Sequence, residues 1–389
     1  MRWLAAMVIT LSVAAACGGG GTSGSRTAAP SATPGSPAPI DASSFDAVAA
    51  GWRTDFTRAS VAGTEFMSGG PGKDGIPAID HPKFVSIAEA TFVDDREPVL
   101  MVDVNGDARA YPVQILVWHE LVNDIVGGKP VAVSYCPLCN SSVVFDRTVQ
   151  SRVLEFGVSG LLRKSDLVMY DRETESWWQQ ITGEAVVGDF LGTRLDVHAS
   201  NTISFSDFRA AHPDGKVLSR DTGFNRDYGR TPYRSYDAEG SRPFLFDGQL
   251  DERLDPVERV ATVEFGTEAV AYPFSRLADH PVVNGVVGLQ PIVVFYRKGT
   301  VSPLDRTNIR DSRDVGSAVV FARSLDGKLL TFEARGDEFR DVDTGSVWDI
   351  TGVARSGSLA GKSLKAANHG TSFWFAWAAF KPETRIWQP

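Results

Sequence analysis

Tyr111-Pro112, His119, Asn123, Gly127, Pro130 and Tyr135-Cys136-Pro137-Leu138-Cys139 form the stretch that decides the fold, because every residue quoted up to Tyr135 occurs twice and the cysteines do not. The second occurrence lies 161 positions on, as Tyr272-Pro273, His280, Asn284, Gly288, Pro291 and Tyr296. The apolar residues Leu116, Val122, Val126 and Val133 keep the same offset, at Leu277, Val283, Val287 and Val294. Equal spacing of apolar and turn residues specifies equal strand register, so the chain reads as one unit written twice. Where the first copy has Cys136 and Cys139, the second has Arg297 and Thr300. The turn does not need thiols, and their presence in one copy marks a functional site.

Beyond the cysteines the correspondence resumes after a 15-residue insertion in the second copy, with a few residues of later slip. Val143-Val144-Phe145 answers Val319-Val320-Phe321, and Leu154-Glu155-Phe156 answers Leu330-Thr331-Phe332. Thr174 to Trp178 answers Thr344 to Trp348, and the segment Phe208 to Pro213 answers Trp377 to Pro382. Residues 95–220 and 257–389 are thus two tandem homologous units. Val102 and Val104 alternate with Asp103, as Val263 and Phe265 do with Glu264, the period of a half-buried strand. Asn105-Gly106 and Gly127-Gly128 are tight turn signals. Strands follow around Ser142–Phe145, Val153–Val158, Asp166–Tyr170 and Ser176–Gln180. One helix closes each unit, capped by Ser204 with Asp207 three residues on, or started by Thr371 or Ser372. The fold class is mainly β, a β-rich α+β arrangement. Its two units of short antiparallel strands form a sandwich or barrel-like body, packed pseudo-symmetrically.

The first 16 residues read as an export signal: Arg2 gives the positive end, and Trp3 to Ala16 is too short an apolar run for a membrane span. Val13-Ala14-Ala15-Ala16-Cys17 resembles a bacterial lipobox, with alanine at 14 where the strongest examples have leucine. The resemblance implies cleavage before Cys17 and diacylation of its thiol, placing the protein outside the cell membrane on a lipid anchor. Residues 17–43, rich in Gly, Ser, Thr, Ala and Pro, cannot bury enough surface to order themselves and read as a disordered linker. Residues 44–94 are an N-terminal extension to the first unit. Between the units, residues 221–256 are rich in Arg, Tyr and Asp and form a strap, or a lid over a site.

The net charge of −9 is spread without basic blocks, which argues against nucleic acid as a partner. No phosphate-binding glycine loop, G-x-S-x-G elbow or H-E-x-x-H occurs. With Cys17 assigned to the anchor, the three cysteines leave a single C-x-x-C in an exported chain. That pair is a disulfide, a metal clip or a redox couple.

From Gly69 to Trp387 the chain resembles the family catalogued as domain of unknown function 3179. The resemblance rests on Gly69 to Pro77, Ala110-Tyr111-Pro112, Trp118-His119-Glu120, Asn123-Asp124, Pro130 to Val133 and Tyr135 to Cys139. It continues through Phe156 to Gly160, Asp166 to Arg172, Asp314 to Gly316 and Phe373 to Phe380. Asn140 departs from it, standing where the family favours glycine, but asparagine tolerates left-handed backbone. The resemblance implies a fold and a site and no reaction.

Cys136-Pro137-Leu138-Cys139 lies between two expected strands, unlike thioredoxin-type pairs that open a helix, and looks like half of a zinc or iron knuckle. Tetrahedral zinc needs four ligands, so His119 is the nearest third ligand and Glu120 or His369 the fourth. His119 has the counterpart His280 in the unit without cysteines, which favours a structural duty. Glu120 has no counterpart, since Pro281 stands in its place, and is the stronger functional residue. The tryptophans and phenylalanines at 177, 178, 348, 373, 374, 375 and 377 fit core packing better than a carbohydrate platform. The Lys73 to Pro77 loop reads as a plain turn ahead of an anion site.

Three functions fit. One is a lipid-anchored module that binds zinc or copper through Cys136, Cys139, His119 and Glu120. Another is a thiol–disulfide or metal-dependent oxidoreductase using the same pair. The third is a structural lipoprotein in which Cys136 and Cys139 form a plain disulfide. The sequence names no substrate and no small-molecule or protein partner, and leaves open whether the chain is an enzyme. The anchor itself is testable: acyl chains supply membrane affinity of about 0.8 kcal/mol per buried CH₂. Cys17→Ala is expected to move the protein from the membrane fraction to the medium, and unchanged fractionation would refute the anchor.

Overall fold

Asn105 and Gly106 have φ of 54° and 82°, the pair of positive values that a two-residue turn of the primed type requires. They join β1 (Pro98–Val104) to β2 (Asp107–Pro112), with Val99 opposite Pro112 and Val104 opposite Asp107. In this computed structural model, which describes residues 40–389, a short helix α1 (Val113–His119) follows directly. Gly127 and Gly128 then turn β3 (Leu121–Val126) into β4 (Lys129–Cys136). A side chain at Gly127 would run into the Val104 backbone of the first hairpin, so glycine is required there. β5 (Ser141–Asp146) pairs with β4 from Cys136 opposite Ser141 to Val131 opposite Asp146. A meander of β6 (Phe156–Arg163), β7 (Asp166–Asp171) and β8 (Trp177–Gln179) comes next. β9 (Ser200–Ser204) returns to pair with β1 and leads into α2 (Phe205–Ala211), after which β10 (Lys216–Leu218) lies parallel to β2.

The second half runs β11 (Arg259–Phe265), β12 (Glu268–Pro273), α3 (Phe274–Leu277), β13 (Val282–Val287), β14 (Gln290–Arg297) and β15 (Ser317–Ala322). It closes with β16 (His369–Phe373), α4 (Trp374–Phe380) and β17 (Arg385–Ile386). β11 faces β12 from Val260 opposite Pro273 to Phe265 opposite Glu268, 161 residues beyond the β1–β2 register at both strands. β17 is parallel to β12, as β10 is to β2. An eight-stranded sheet has the order β17-β12-β11-β16-β5-β4-β3, with Val197–His198 added against β5. None of the sheets closes on itself, so the barrel-like alternative gives way to open, mostly antiparallel sheets.

Four α-helices are present among the described residues. α2 is capped as its sequence implies: the Ser204 hydroxyl accepts the Asp207 N–H at 3.1 Å and donates to the Asp207 carboxylate at 2.7 Å. α4 begins later than expected, because Thr371 and Ser372 are held in β16 by pairing with β11. Its first N–H groups are taken instead by the Glu258 and Pro256 carbonyls. α1 and α3 were not expected at all. The expected leader 1–16, the Cys17 anchor and the linker up to residue 39 lie outside the described residues. Residues 42–43, assigned to that linker, belong to a 3-10 turn (Ala42–Phe45) whose cap is Asp41. Among the described residues, no helix is long and apolar enough to cross a membrane.

The large aromatics are core, except Trp377, which is half-buried. Trp177, Trp178, Trp348 and Trp374 are fully buried. The Trp178 indole donates to Asp171 at 2.9 Å and that of Trp348 to Asp341 at 3.0 Å. Asn123 accepts the Phe156 N–H at 3.0 Å and donates to the Phe156 carbonyl at 2.8 Å, while Asn284 does the same to Phe332 at 2.9 and 2.7 Å. The bonds are alike, but Asn123 is buried and Asn284 exposed. Losing a buried partner strands the polar groups it served, whereas water replaces an exposed one. Asn123→Ala is therefore expected to cost about 2–3 kcal/mol in urea unfolding and Asn284→Ala under about 1 kcal/mol. Equal costs would refute that reading.

Candidate functional site

β4 ends on Cys136 and β5 starts on Ser141, so the two cysteines sit in the turn between them. Asn140 closes the turn with φ 46°, donating its N–H to the Pro137 carbonyl at 3.2 Å and accepting the Tyr135 hydroxyl at 3.0 Å. A left-handed residue is needed here, and asparagine supplies it. Cys136 and Cys139 are buried and unbridged.

The third member of the site comes from the next hairpin. Lys164 and Ser165 turn β6 into β7 with φ of 53° and 65°, presenting the Ser165 carbonyl to the Cys139 thiol at 3.4 Å and to the Cys136 thiol at 4.0 Å. Asp166, the first residue of β7, follows. Donor atoms of Cys136, Cys139 and Asp166 all lie within 4.8 Å of one another, and all three residues are buried. Among the described residues no other three His, Cys, Asp or Glu side chains converge this closely. Asp166 Oδ2 accepts from the Gln179 amide at 2.6 Å and the Ile181 N–H at 3.0 Å. Its Oδ1 is buried with no hydrogen-bond partner.

Burial pushes the Asp166 carboxyl up to about 6, against the pull of the Ile181 and Gln179 donors and the thiols. Burial and then the Asp166 charge push Glu120 up to about 8. The Cys136 and Cys139 thiols are raised for the same first reason, with Asp166 adding to both. Asp166 thus raises the other three, and the guanidinium of Arg163 reaches it only through the Gln179 amide, which accepts from Arg163 at 3.3 Å.

Glu120 follows the last residue of α1 with φ 59°, in the place where a helix commonly ends on glycine. A non-glycine residue held there by its surroundings is a mark of function. Pro281 holds the matching place in the second half and cannot take positive φ.

Glu120, expected as a ligand, is not in the group of three, and neither is His119, expected as the third ligand. Its Nδ1 donates to the Pro77 carbonyl at 2.7 Å, and its Nε2 accepts from the Tyr228 hydroxyl at 2.6 Å. Both ring nitrogens are engaged, burial holds its pKa down, and the ring ties the N-terminal extension to the strap. His369 is also outside the group, with Nδ1 on the Ala367 carbonyl at 3.0 Å. The Lys73 loop is a tied turn: Lys73 pairs with Glu175 at 2.9 Å and Asp74 accepts the Tyr170 hydroxyl at 2.5 Å.

The strap is also a cover. Tyr233, Tyr236, Leu245, Phe246 and Leu250 pack on the apolar cluster that contains both cysteines. The Ser165 hydroxyl donates to the Phe244 carbonyl at 2.6 Å, fixing the cover beside the thiol turn. Asp237 anchors it, with a side chain 0 % exposed between Arg259 at 2.5 Å and Arg313 at 3.0 Å. Burial would raise that carboxyl, but Arg259 and Ser302 outweigh it and hold it below the usual range.

The family described as a protein of unknown function, DUF3179, matches residues 73–384, which include the thiol turn, Asp166, the strap and most of the second half. The chain belongs to the DUF3179 family. A comparison with curated proteins and one with solved structures each give no match.

Asp166 is the residue that sequence reasoning missed in this DUF3179 chain. Its signal was an acidic residue opening a strand, Asp166 to Asp171, that is buried along its whole length. Because folding raises its pKa, the metal-free native state holds a proton that the unfolded chain has lost. Stability then falls as pH rises from about 4 through 6 for Asp166, and on to about 8 for Glu120. Asp166→Asn removes the first part of that fall while Glu97, raised to about 7, persists in both proteins. In metal-free protein at pH 8, Asp166→Asn is expected to be about 2–3 kcal/mol more stable than the parent, and equal to it near pH 4. Parallel stability–pH curves from denaturant titrations would refute this.

Proposed function

We propose that this DUF3179 protein is an extracytoplasmic, lipid-anchored metal-binding module, with Cys136, Cys139 and Asp166 as ligands and Glu120, a buried acid outside that group, moving in as the fourth. The observation that carries the reading is the convergence of two buried thiols with a buried carboxylate whose Oδ1 has no hydrogen-bond partner. Buried acidic groups without a counter-charge are costly, and a divalent ion removes that cost by binding them deprotonated. Two sulfurs and two carboxylates make the four donors of a closed zinc site, while the thiolates also suit copper(I). Burial of the three converging donors under the strap favours an ion held in place over a catalytic one open to substrate.

The lipobox-like residues before Cys17 support the anchor. The repeated spacing, with strand registers 161 residues apart, supports duplication of an ancestral unit in which one copy carries the site. A thiol–disulfide oxidoreductase is the second reading, favoured by two unbridged sulfurs so close together. Burial and raised thiol pKa values weigh against it, since redox thiols are accessible and readily ionised.

Elemental analysis of untagged protein, made in medium with zinc and copper, tests the proposal. The expected result is close to one ion per chain, lost at least tenfold in Cys136→Ser and in Asp166→Asn but kept in His119→Ala. A metal-free protein whose thiols react with iodoacetamide only after mild reduction would overturn it in favour of the redox reading.

A further inference from the structure

On the sheet face where β5, β16 and β11 run side by side lies a cavity of about 360 Å³, within the size range of small-molecule sites. The strand register defines its floor. Ser142 faces Thr371 and Gly370 faces Thr262, so alternation puts Ser141, Val143, Gly370, Ser372, Thr262 and Glu264 on one side. Trp377 of α4 forms part of the wall.

The matching face of the other half has no such space. By strand register Met101 stands in the place of Thr262, Asn201 in that of Gly370 and Ile203 in that of Ser372. Met101 and Ile203 are buried there, packed with Val319. Three exchanges to smaller side chains hollow out one half where the other is filled.

Nothing in the fold calls for a glycine at 370. A Cβ added there meets only the Thr262 hydroxyl, at 3.6 Å, and φ is in the ordinary range. Glycine inside a strand weakens it and often marks a place where something approaches the backbone closely. The Ser372 hydroxyl, which belongs to this floor, is buried with no hydrogen-bond partner. Bare backbone at Gly370 therefore leaves room over the strand, next to a hydroxyl that a small shift would bring within reach of an occupant.

The lining selects its chemistry. Glu264 is paired with Lys381 at 2.6 Å and has Arg194 at 3.8 Å, so its charge is compensated and free to accept hydrogen bonds. Val143, Val197 and the Trp377 ring supply an apolar wall. A ligand with one face of C–H groups and an edge of hydroxyls matches an aromatic wall beside polar acceptors. We propose that this cavity binds a small neutral carbohydrate of one or two rings, independently of the thiol site.

Isothermal titration of the full chain with D-glucose, N-acetylglucosamine and maltose, with decanoate as an apolar probe, tests it. At least one sugar is expected to bind with a Kd below about 10 mM. Gly370→Leu, which fills the floor, is expected to weaken binding at least tenfold while unfolding temperature and metal content stay unchanged. Ser372→Ala, which deletes the hydroxyl with little change of volume, is expected to weaken binding severalfold and serves if Gly370→Leu folds poorly. No sugar binding up to that concentration, binding by decanoate alone, or sugar binding indifferent to both substitutions would each overturn the proposal.

Discussion

β16 runs beside β5 with Thr371 opposite Ser142, and the Phe373 N–H donates to the Cys139 carbonyl at 2.8 Å. Through this contact the strands of both halves become one eight-stranded sheet. Without it β5 and β16 would each present unpaired backbone groups toward the interior, which folded proteins avoid. The same contact braces the thiol turn from outside and lays the floor on which Gly370 and Ser372 sit. The halves are therefore interlocked, and the two most unusual places in the molecule lie on either side of that join.

The halves treat charge differently at the equivalent turn. In the second, Thr300 shares a 2.7 Å hydrogen bond with Ser317, and Arg297 reaches out to Asp207 at 2.9 Å. Neutral partners and a half-exposed ion pair hold that turn at little electrostatic cost. In the first half, four groups that ionise to negative charge are packed where water cannot screen them. The turn is held safely in one half and carries a destabilising arrangement in the other, a contrast common at functional sites.

Much of the architecture was legible in the spacing of Tyr111-Pro112, Asn123, Gly127 and Tyr135, because turn glycines and alternating apolar residues fix hairpin register. The Ser204 cap could be read for the same local reason. α1 and α3 could not, since Val113 to His119 is buried on nearly every side and shows no amphipathic period. The start of α4 was misplaced because Thr371 and Ser372 look like caps yet are claimed by strand pairing, a long-range effect. The thiol pair was legible because Arg297 and Thr300 stand at the matching places in the second half of the sequence. Asp166 was not, because its approach to Cys139 depends on how the β6–β7 hairpin folds back, which no spacing rule encodes. His119 misled for the opposite reason: beside Glu120 in sequence, it points its nitrogens to Pro77 and Tyr228.

The strap, locked down by the buried Asp237 between two arginines, bears on time as well as on shape. Lifting it away from the thiol turn separates a desolvated carboxylate from its guanidinium partners, so the turn is opened rarely. If the thiol turn holds an ion as proposed, that ion enters while the chain is still closing and afterwards exchanges slowly. A protein built this way keeps a record of the conditions in which it folded.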